Sequence, residues 1–409
     1  MQSKKYPWIV VGLLWVVALL NYLDRQMLST MRPSMQVDIA ELQSATNFGY
    51  LMSIFLWIYG FMSPVSGIIA DKVNKKWLIV ISLLVWSAVT LAMGYATSFN
   101  QLYWLRAAMG VSEAFYIPAG LALIADYHKD ATRSLAVGIH MSGIYMGQAL
   151  GGFGATIAAN FSWQSTFHSF GWIGIAYSII LILFLKEYKE DKIQRAAPFT
   201  LSFSSLFAGL SVLLSNISFW IIIMYFAVPS LPGWIVKNWL PTLFSENLGI
   251  EMATAGPITT ITIAGASLIG VLIGGYTSDK WLQINIRGRI YTSAIGLALT
   301  IPSLLLIGYG HSLVAVISAA FCFGLGFGIF DCNNMPILCQ FVSSRHRATA
   351  YGLLNLAGIT AGAFITNIFG KSIDAGNPAK NFIYLAGVLV LALFIQLMYL
   401  KPKVKDFTQ

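Results

Sequence analysis

The stretch Arg106-Ala-Ala-Met-Gly-Val-Ser-Glu113-Ala-Phe-Tyr-Ile-Pro118 places a cation and a carboxylate inside a long apolar segment, residues 102–125. Arg106, Gly110 and Glu113 follow the spacing i, i+4, i+7, so they share one face of a predicted helix. Charges in a membrane-spanning helix are costly to bury, and by default they mark a path for substrate or protons. The alternative is an ion pair that only holds helices together.

The composition indicates a chain that lies mostly in lipid. Hydrophobic residues make up 57% of its 409 residues and charged residues only 10%, whereas a soluble domain carries about 25% charged residues. Apolar runs of roughly 20 residues, the length that crosses a bilayer as a helix, recur along the sequence. We therefore predict an all-α integral membrane protein with twelve transmembrane helices. The predicted helices are 7–31, 45–70, 76–96, 99–127, 132–159, 164–186, 212–243, 252–278, 289–310, 312–340, 347–371 and 379–400.

Basic residues fall mainly on one side of the predicted bundle. Of the 25 lysines and arginines, 19 lie at the termini or in the alternate loops that share their side. Because short cytoplasmic loops are enriched in lysine and arginine, we expect both termini to be cytoplasmic in a multi-pass plasma (inner) membrane protein. The net charge of +9 is then a topology signal, and no nucleic-acid partner is expected.

The chain consists of two halves with a similar pattern. A long polar break follows the sixth helix, which predicts a six-helix bundle at 1–186, a cytoplasmic linker at 187–211 and a second six-helix bundle at 212–409. Three short motifs repeat in register: Gly67-Ile-Ile-Ala-Asp71-Lys72 with Gly275-Tyr-Thr-Ser-Asp279-Lys280, Arg133-Ser-Leu-Ala-Val-Gly138 with Arg347-Ala-Thr-Ala-Tyr-Gly352, and Gly110, Glu113 and Pro118 with Gly328, Asp331 and Pro336. Paired halves of this kind place a substrate site between them, near the middle of the membrane.

These motifs resemble those of a known family. Gly67-x-x-x-Asp71-Lys72 resembles the signature loop of the major facilitator superfamily. Asn21-Tyr-Leu-Asp24-Arg25 and the stretch from Arg106 to Pro118 are similar to the anion:cation symporters, which include galactonate and hexuronate transporters and sialin. Spinster-type lysolipid transporters share the Asp-Arg pair and the Gly-x-x-Glu-Ala motif. The resemblance implies a transporter of two pseudo-symmetric six-helix bundles, which we expect to be a monomer.

Arg25 is the predicted anchor for a substrate anion. Asn21, Tyr22 and Arg25 share one helix face, which we assign to the substrate cavity. A guanidinium binds a carboxylate through two parallel hydrogen bonds, and the resemblance implies the same role for this arginine. The alternative is that Arg25 only neutralises Asp24 or Glu113, since buried charges are usually paired.

Glu113 and Asp24 are the predicted proton carriers. Burial favours the neutral form of a carboxyl group and a nearby arginine favours the charged form, so a substrate or a change in hydration tips the balance. The resemblance implies that these two positions couple protons to substrate. Arg106 is a candidate partner that releases Glu113 on protonation. For Asp24, the alternative role is to hold its helix to neighbouring helices.

Asp331 departs from the family pattern, and it is expected to face the cavity from the second half beside Asn333 and Asn334. It is a candidate for binding a second proton or a sodium ion, or for contacting substrate hydroxyls. It is equally a candidate for pairing with Lys237. If Asp331 lines the site, we expect the substrate to have a hydroxyl- or amine-rich end as well as an acid end.

Two further segments predict moving parts. Pro229, Pro232 and Gly233 predict a broken helix 7, because such breaks are tolerated where the backbone lines a cavity. Gly143, Gly147 and Gly151 recur at four-residue spacing, with Gly152 and Ala155 beside them, and such small residues let helices approach closely. We expect the two halves to move against each other at this face. Further candidate substrate contacts, which ordinary packing also explains, are Tyr59, Tyr145, Gln148, Tyr225, Trp234, Asn238 and Asn355.

The loop residues Gly67, Asp71 and Lys72 resemble the device that latches the outward-open state in the family. Asp126 and Arg133 are expected to be partners in the same cytoplasmic network. The sequence has no P-loop motif and no Cys/His spacing typical of zinc. No cofactor is therefore expected, and a proton gradient, or sodium, would supply the driving force.

We therefore predict a secondary active transporter, without enzymatic activity, that carries an organic anion such as a sugar acid together with protons. A lysolipid or sugar-phosphate transporter on the same fold is the first alternative, and Lys237 would then be a second cation in the cavity. A non-transporting membrane sensor is the second alternative.

Overall fold

The structure, a computed structural model, describes residues 5–128, 132–188, 213–343 and 347–402, without the side chains of residues 68, 71, 72, 134 and 348. Every regular element in these ranges is helical, which confirms the predicted all-α class. Helices of the N-terminal half are α1 (Tyr6–Asp38), α2 (Ala45–Lys72), α3 (Lys75–Met93), α4 (Phe99–Glu113), α5 (Tyr116–Tyr127), α6 (Arg133–Gly151), α7 (Gly154–Asn160) and α8 (Trp163–Phe184), with a short 3₁₀ turn at Ala40–Gln43. Helices of the C-terminal half are α9 (Ile217–Leu248), α10 (Met252–Ile284), α11 (Gly288–Tyr309), α12 (Leu313–Asp331), α13 (Asn334–Cys339), α14 (Arg347–Asp374) and α15 (Pro378–Tyr399).

Eleven helical segments of the described residues are long and apolar enough to cross a membrane. Each of them overlaps one of the twelve predicted helices. The remaining predicted helix, 132–159, forms as α6 and α7 and is not among the eleven. α6 carries Arg133, His140 and Gln148, and such polar side chains lower the mean hydropathy of the segment. The chain is a multi-pass membrane protein. Most of the predicted linker lies outside the described residues.

Two of the membrane spans are interrupted at a carboxylate. α4 ends at Glu113 and α5 begins at Tyr116, while α12 ends at Asp331 and α13 begins at Asn334. Irregular backbone at membrane depth is tolerated where it is buried in protein or lines a water-filled space. The repeat found in the sequence therefore extends to the position at which the corresponding helix breaks in each half.

The predicted break in helix 7 is wrong. α9 continues from Ile217 to Leu248 through Pro229, Pro232 and Pro241. Each proline removes one backbone donor, but unwinding the helix would leave several backbone groups without partners in the bilayer. Continuing the helix is the smaller cost, so this helix forms one uninterrupted rod.

The glycine stripe of α6 packs within the N-terminal half. A Cβ at Gly143 would lie 2.6 Å from a backbone oxygen of α1, and Cβ atoms at Gly147 and Gly151 would collide with α1 in the same way. The predicted packing between the halves is therefore wrong for these three glycines and is confirmed for Gly152, while movement of the halves there stays a prediction. The close approach between the halves lies beside the stripe, where a Cβ at Gly152 would be 2.7 Å from the backbone oxygen of Gly256 in α10.

We call the membrane face at which α1 begins and α15 ends the terminal face, and the opposite one the distal face. At the distal face, α14 closes against α2. Asp374, the last residue of α14, accepts hydrogen bonds from the backbone N–H groups of Ala45 and Thr46, both at 2.8 Å, and from Ser44 Oγ at 2.7 Å. The first N–H groups of a helix lack partners within it and carry partial positive charge, so a carboxylate is favourable there. The two halves are thus joined at the distal face.

Replacing Asp374 with alanine is expected to loosen the distal face. Three hydrogen bonds to one carboxylate are lost, each worth about 1 kcal/mol or more, so exchange of the Ala45 and Thr46 amides should rise roughly tenfold or more. Hydrogen–deuterium exchange with mass spectrometry measures this. Asp38→Ala is the matched control, because Asp38 accepts hydrogen bonds from α8, within its own half. Unchanged protection at residues 45 and 46 would contradict the role of Asp374 between the halves.

Candidate functional site

A buried ion pair joins α1 to α4 within the N-terminal half. Arg25 Nε donates a hydrogen bond to Glu113 Oε2 at 2.5 Å, and the two side chains are 11% and 0% exposed. Charges that have lost their hydration attract each other strongly, and each depends on the other to offset the cost of burial. An event that neutralises one of the two groups therefore releases the other.

Three aromatic rings enclose the Arg25 guanidinium. Its central carbon lies 4.7 Å from the ring centre of Tyr22, 4.8 Å from that of Phe55 and 4.5 Å from that of Tyr59. The faces of aromatic rings attract cations, more strongly where water is excluded. Tyr22 and Tyr59, predicted as substrate contacts, thus lie against the predicted anchor, and they hold the guanidinium in position independently of Glu113.

Several buried polar atoms at this pair have no hydrogen-bond partner in the described part of the chain. By hydrogen-bond geometry they are Arg25 Nη2, Glu113 Oε1, both amide atoms of Asn21, and Arg106 Nε. The Asn21 amide nevertheless lies close enough to Glu113 to favour its charged form. Buried polar atoms are costly to leave unpaired, and in native proteins nearly all of them have a partner. The ion pair therefore offers both a donor and an acceptor to a small polar ligand.

Asp24 and Arg106 lie close to the pair but contact other groups. Asp24 is buried, and its Oδ2 accepts a hydrogen bond from Thr90 Oγ1 of α3 at 3.2 Å. That bond is the contact that a helix-holding role requires. Arg106 Nη1 donates to Met109 Sδ at 3.0 Å, and it attracts Glu113 only through space. The hydrogen-bonded partner of Glu113 is thus the arginine of α1, and release of Glu113 by Arg106 on protonation stays a prediction.

The C-terminal half carries a second set of charged residues. Asp331 is exposed although it lies in a membrane-crossing segment, and Asn334 Nδ2 donates to its Oδ1 at 3.0 Å. Lys237 of α9 attracts Asp331 electrostatically, but the two do not form an ion-pair contact. The Lys237 nitrogen lies 5.5 Å from the ring centres of both Trp234 and Phe327. Ionisable residues at this depth usually face a water-filled cavity, which agrees with the exposure of Asp331.

A small cavity lies between the two halves, with a volume of about 10 Å³, close to the space that one water molecule needs. Gln148, a predicted contact, lines it together with Gln26, Lys237 and Thr260. Gln26 Nε2 donates to the backbone oxygen of Lys237 at 2.9 Å, which links the halves beside the ion pair. Gln26 was not among the predicted site residues, although an amide next to Arg25 in an apolar helix was a usable signal.

In the ranges that the structure describes, the remaining predicted substrate contacts form no hydrogen bond with the Arg25–Glu113 pair. Asn333 is fully buried, and its Nδ2 donates to the backbone oxygen of Ile329 at 2.8 Å, so its amide folds back on its own helix. Asn334 is also buried and turns toward Asp331. Tyr145 and Asn355 are half-buried. The two other helix 7 candidates bond within their half: Tyr225 with Ser293 at 2.6 Å, and Asn238 with Thr366 at 3.0 Å.

Charged side chains near the terminal face pair differently from the prediction. Lys75 Nζ lies 2.6 Å from Asp126 Oδ2. Arg133 instead donates to two backbone carbonyls at the end of α5, at 3.1 and 3.4 Å, as basic residues commonly do at helix C-termini. The predicted partnership of Asp126 with Arg133 is therefore wrong. The side chains of Asp71 and Lys72 lie outside the described residues, and a Cβ at Gly67 would meet open space.

Removing one member of the buried pair is expected to destabilise the protein more than removing both. Glu113→Ala leaves Arg25 charged and unpaired in apolar surroundings, at a cost of about 3–5 kcal/mol in the free energy of unfolding. Arg25→Met combined with Glu113→Gln removes both charges and should recover most of this loss. Denaturant unfolding in detergent measures the difference.

The matched control is Asp126→Asn, because the more exposed pair of Lys75 with Asp126 is worth about 0–1 kcal/mol. A double variant at Arg25 and Glu113 that is as unstable as Glu113→Ala alone would show that the cost does not come from an unpaired charge.

Residues 14–367 match the sequence pattern of the Major Facilitator Superfamily. The chain is 25% identical to Protein spinster homolog 1 of Xenopus laevis, over 93% of this chain and 76% of that protein. It is 23% identical to the hexuronate transporter of Bacillus subtilis (strain 168), over 98% and 96%, and 23% identical to the probable L-galactonate transporter of Escherichia coli (strain K12), over 96% and 88%.

Solved structures share this fold. A bacterial homolog to the human lysosomal transporter Spinster, in an inward-facing and unoccupied conformation, superposes with a TM-score of 0.78 at 19% identity, over 96% of this chain and 97% of that chain. A nucleoside transporter mutant superposes with a TM-score of 0.74 at 18% identity, over 95% and 99%. The sequence match over most of the chain agrees with the helical fold and with the paired charges inside its spans. The chain therefore belongs to the Major Facilitator Superfamily and is a membrane transporter.

Proposed function

We propose that this transporter carries a small organic anion, such as a sugar acid, together with protons. The main support is the buried Arg25–Glu113 pair, which retains an unpaired donor, Arg25 Nη2, and an unpaired acceptor, Glu113 Oε1. A guanidinium binds a carboxylate most strongly through two parallel hydrogen bonds, and Glu113 accepts only one from Arg25. A substrate carboxylate is the group that would best complete these contacts.

In this proposal, Glu113 and the substrate compete for Arg25. While Glu113 is ionised it already neutralises the arginine, so a second anion gains little by docking there. Protonation of Glu113 removes its charge, and the buried guanidinium then requires another anion. The site is fully satisfied only when a proton and an anion arrive together, which is the thermodynamic condition for symport.

Asp24 is the proposed second proton carrier. It is buried near Glu113, and the two carboxyl groups repel each other when both are ionised, while Arg106 attracts both. Ionisation of one carboxyl group therefore opposes ionisation of the other. Protonation of Glu113 thus alters the protonation equilibrium of Asp24. The hydrogen bond from Thr90 fixes the position of Asp24. Sodium is the alternative driving ion.

The proposed cycle uses the two faces of the bundle in turn. Both termini are proposed to be cytoplasmic, because the basic loops share their side, so the distal face is proposed to be the outer one. Asp374 closes that face in this structure, which supports an inward-open state. Substrate and protons would enter when the distal contacts open, and they would leave after the halves return to the present arrangement.

The relatives support an anionic substrate. Two of them are named as transporters of hexuronate and L-galactonate, which are sugar acids. Similarity to spinster proteins keeps a lysolipid or a sugar phosphate as the second candidate, with the phosphate group in place of the carboxylate on Arg25. A thermal-shift screen of sugar acids, sugar phosphates and lysophospholipids separates these classes, and a non-transporting sensor would move none of them.

Arg25→Met is expected to lower uptake of the organic anion on the order of 100-fold, since a charge-assisted, two-bond contact is lost. Uptake into proteoliposomes with an imposed pH gradient measures this. Arg32→Met is the matched control, because Arg32 lies on the same helix but donates to the backbone oxygens of Leu42 and Gln43 near the distal face. Uptake by Arg25→Met at the level of Arg32→Met would remove the anchor assignment.

Glu113→Gln is expected to exchange substrate across the membrane but not to accumulate it against a gradient. The amide resembles a permanently protonated carboxyl group in shape and charge, so Arg25 stays available to the anion while the proton requirement is lost. Counterflow and pH-driven uptake in the same proteoliposomes distinguish the two activities, with Asp126→Asn as the control. Accumulation driven by pH at the wild-type level would rule out Glu113 as the proton carrier.

A further inference from the structure

The two halves repeat the position of a cation at membrane depth. α1 and α9 are the first helices of their halves, and they align without a gap. One register pairs Trp8 with Trp220, Tyr22 with Trp234, Arg25 with Lys237, Leu28 with Leu240 and Thr30 with Thr242. A basic residue at membrane depth is rare, so its recurrence at one register position is more informative than the apolar matches. In both helices the cation lies near the aromatic ring one turn before it, at 4.7 Å for Arg25 and at 5.5 Å for Lys237.

The carboxylates of the two halves correspond in the same way. Glu113 ends α4 and Asp331 ends α12, and in both cases a short helix follows after a two-residue break. The pair of Arg25 with Glu113 in one half therefore has a counterpart, Lys237 with Asp331, in the other. Each half contributes one cation from its first helix and one carboxylate from its fourth predicted span.

The two pairs differ in how the cation is used. Arg25 contacts its carboxylate at 2.5 Å, whereas the Lys237 ammonium makes no hydrogen bond or ion pair within the described residues. Asp331 instead accepts a hydrogen bond from Asn334. An ammonium group has three donors, and Lys237 lines the cavity between the halves. The C-terminal half thus presents a cation whose donors are available at the boundary between the halves.

Arg25 and Lys237 lie near each other, because Gln26, the residue after Arg25, donates a hydrogen bond to the backbone oxygen of Lys237 at 2.9 Å, and the two cations repel each other. Both lie in apolar surroundings, where repulsion between like charges is larger than in water. Glu113, Asp24 and Asp331 offset part of this repulsion. Protonation of both Glu113 and Asp24 during the proposed cycle would leave three cations, Arg25, Arg106 and Lys237, with Asp331 as the nearby carboxylate. A ligand with two negative groups balances this charge, whereas a ligand with one leaves a positive excess.

We propose that Lys237 is a second anion anchor and that the substrate is a small organic dianion, with one acid group on Arg25 and the other on Lys237. This inference rests on the proposed function, which supplies the first acid group. Because the two anchors belong to different halves, a bound dianion links the halves directly. A monoanion with a hydroxyl group at its other end contacts only Arg25. Lys237 then has only the electrostatic attraction of Asp331.

Matched sugar acids test this inference on the purified full-length protein. Glucarate and galactarate carry an acid group at both ends, while gluconate and galactonate carry one acid group and one hydroxyl group. Isothermal titration calorimetry measures the affinity for each acid. The wild type is expected to bind each diacid roughly tenfold more tightly, or better, than its monoacid partner, which is the gain from one additional charge-assisted contact.

Variants at Lys237 identify the residue responsible. Lys237→Met should lower the affinity for both diacids by roughly tenfold or more, and change the affinity for the monoacids by less than about twofold, whereas Lys237→Arg should keep the preference for diacids. The double variant Lys237→Met with Asp331→Asn removes both charges. It therefore separates loss of the anchor from damage caused by an unpaired Asp331, and it should behave as Lys237→Met does.

The outcomes separate this inference from the proposed function. If the wild type binds diacids and monoacids equally, or if the double variant loses both equally, the second anchor is overturned. The proposed function stands in that case, provided that Arg25→Met abolishes binding of the monoacids. If none of the four acids binds, or if only glucose 6-phosphate or lysophosphatidylcholine binds, the proposed function and the second anchor are both overturned.

Discussion

Arg25 and Glu113 meet at 2.5 Å, and almost nothing of either side chain is exposed. Each of these two charges would be costly to bury alone, so each requires an opposite charge in contact with it. The surrounding structure follows from that constraint. α4 ends at Glu113, and the rings of Tyr22, Phe55 and Tyr59 enclose the guanidinium. The same constraint makes the pair responsive, because a change in the charge of one member alters what the other can bind.

The two halves use one architectural plan with different charge pairing. In both, the first helix carries a basic residue and the fourth predicted span breaks at a carboxylate. In the N-terminal half the two charges are in contact, while in the C-terminal half Asp331 is exposed and hydrogen-bonded to Asn334. The halves meet at the distal face, where Asp374 accepts hydrogen bonds at the start of α2. The contact at the distal face and the buried pair therefore both consist of a carboxylate facing groups of positive charge, at two depths of the membrane.

Much of this arrangement could be predicted from the sequence, because its main determinants are local. Long apolar runs give the helices, and the repeated motifs coincide with matching helix breaks at Glu113 and Asp331. The spacing of Arg106, Gly110 and Glu113 correctly indicated buried charge. The sequence could not decide between two arginines as the partner of Glu113, since that choice depends on how α1 packs against α4.

Helix 7 and the α6 glycines show the same limit. Prolines favour a break only if the freed backbone groups find partners, and in α9 the helix continues instead. Four-residue glycine spacing indicates a close helix neighbour without indicating which one. For Gly143, Gly147 and Gly151 that neighbour is α1 of the same half, whereas Gly152 of the same predicted face meets α10 of the other half. Asp374 was not predicted at all, because a carboxylate at the end of one helix gives no sign of a distant helix start.

The contact between α1 and the glycines of α6 has a consequence for how the molecule can change shape. Gly147 and Gly151 leave no room for even one methyl group between the two backbones, so α1 and α6 must travel as a single body. Arg25 of α1 and Gln148 of α6 therefore keep a fixed separation. Any rearrangement that reshapes the cavity must therefore come from the other helices that line it, α9 and α10. The tight contact of α1 with α6 thus keeps Arg25 in a fixed position while the helices across the cavity change theirs.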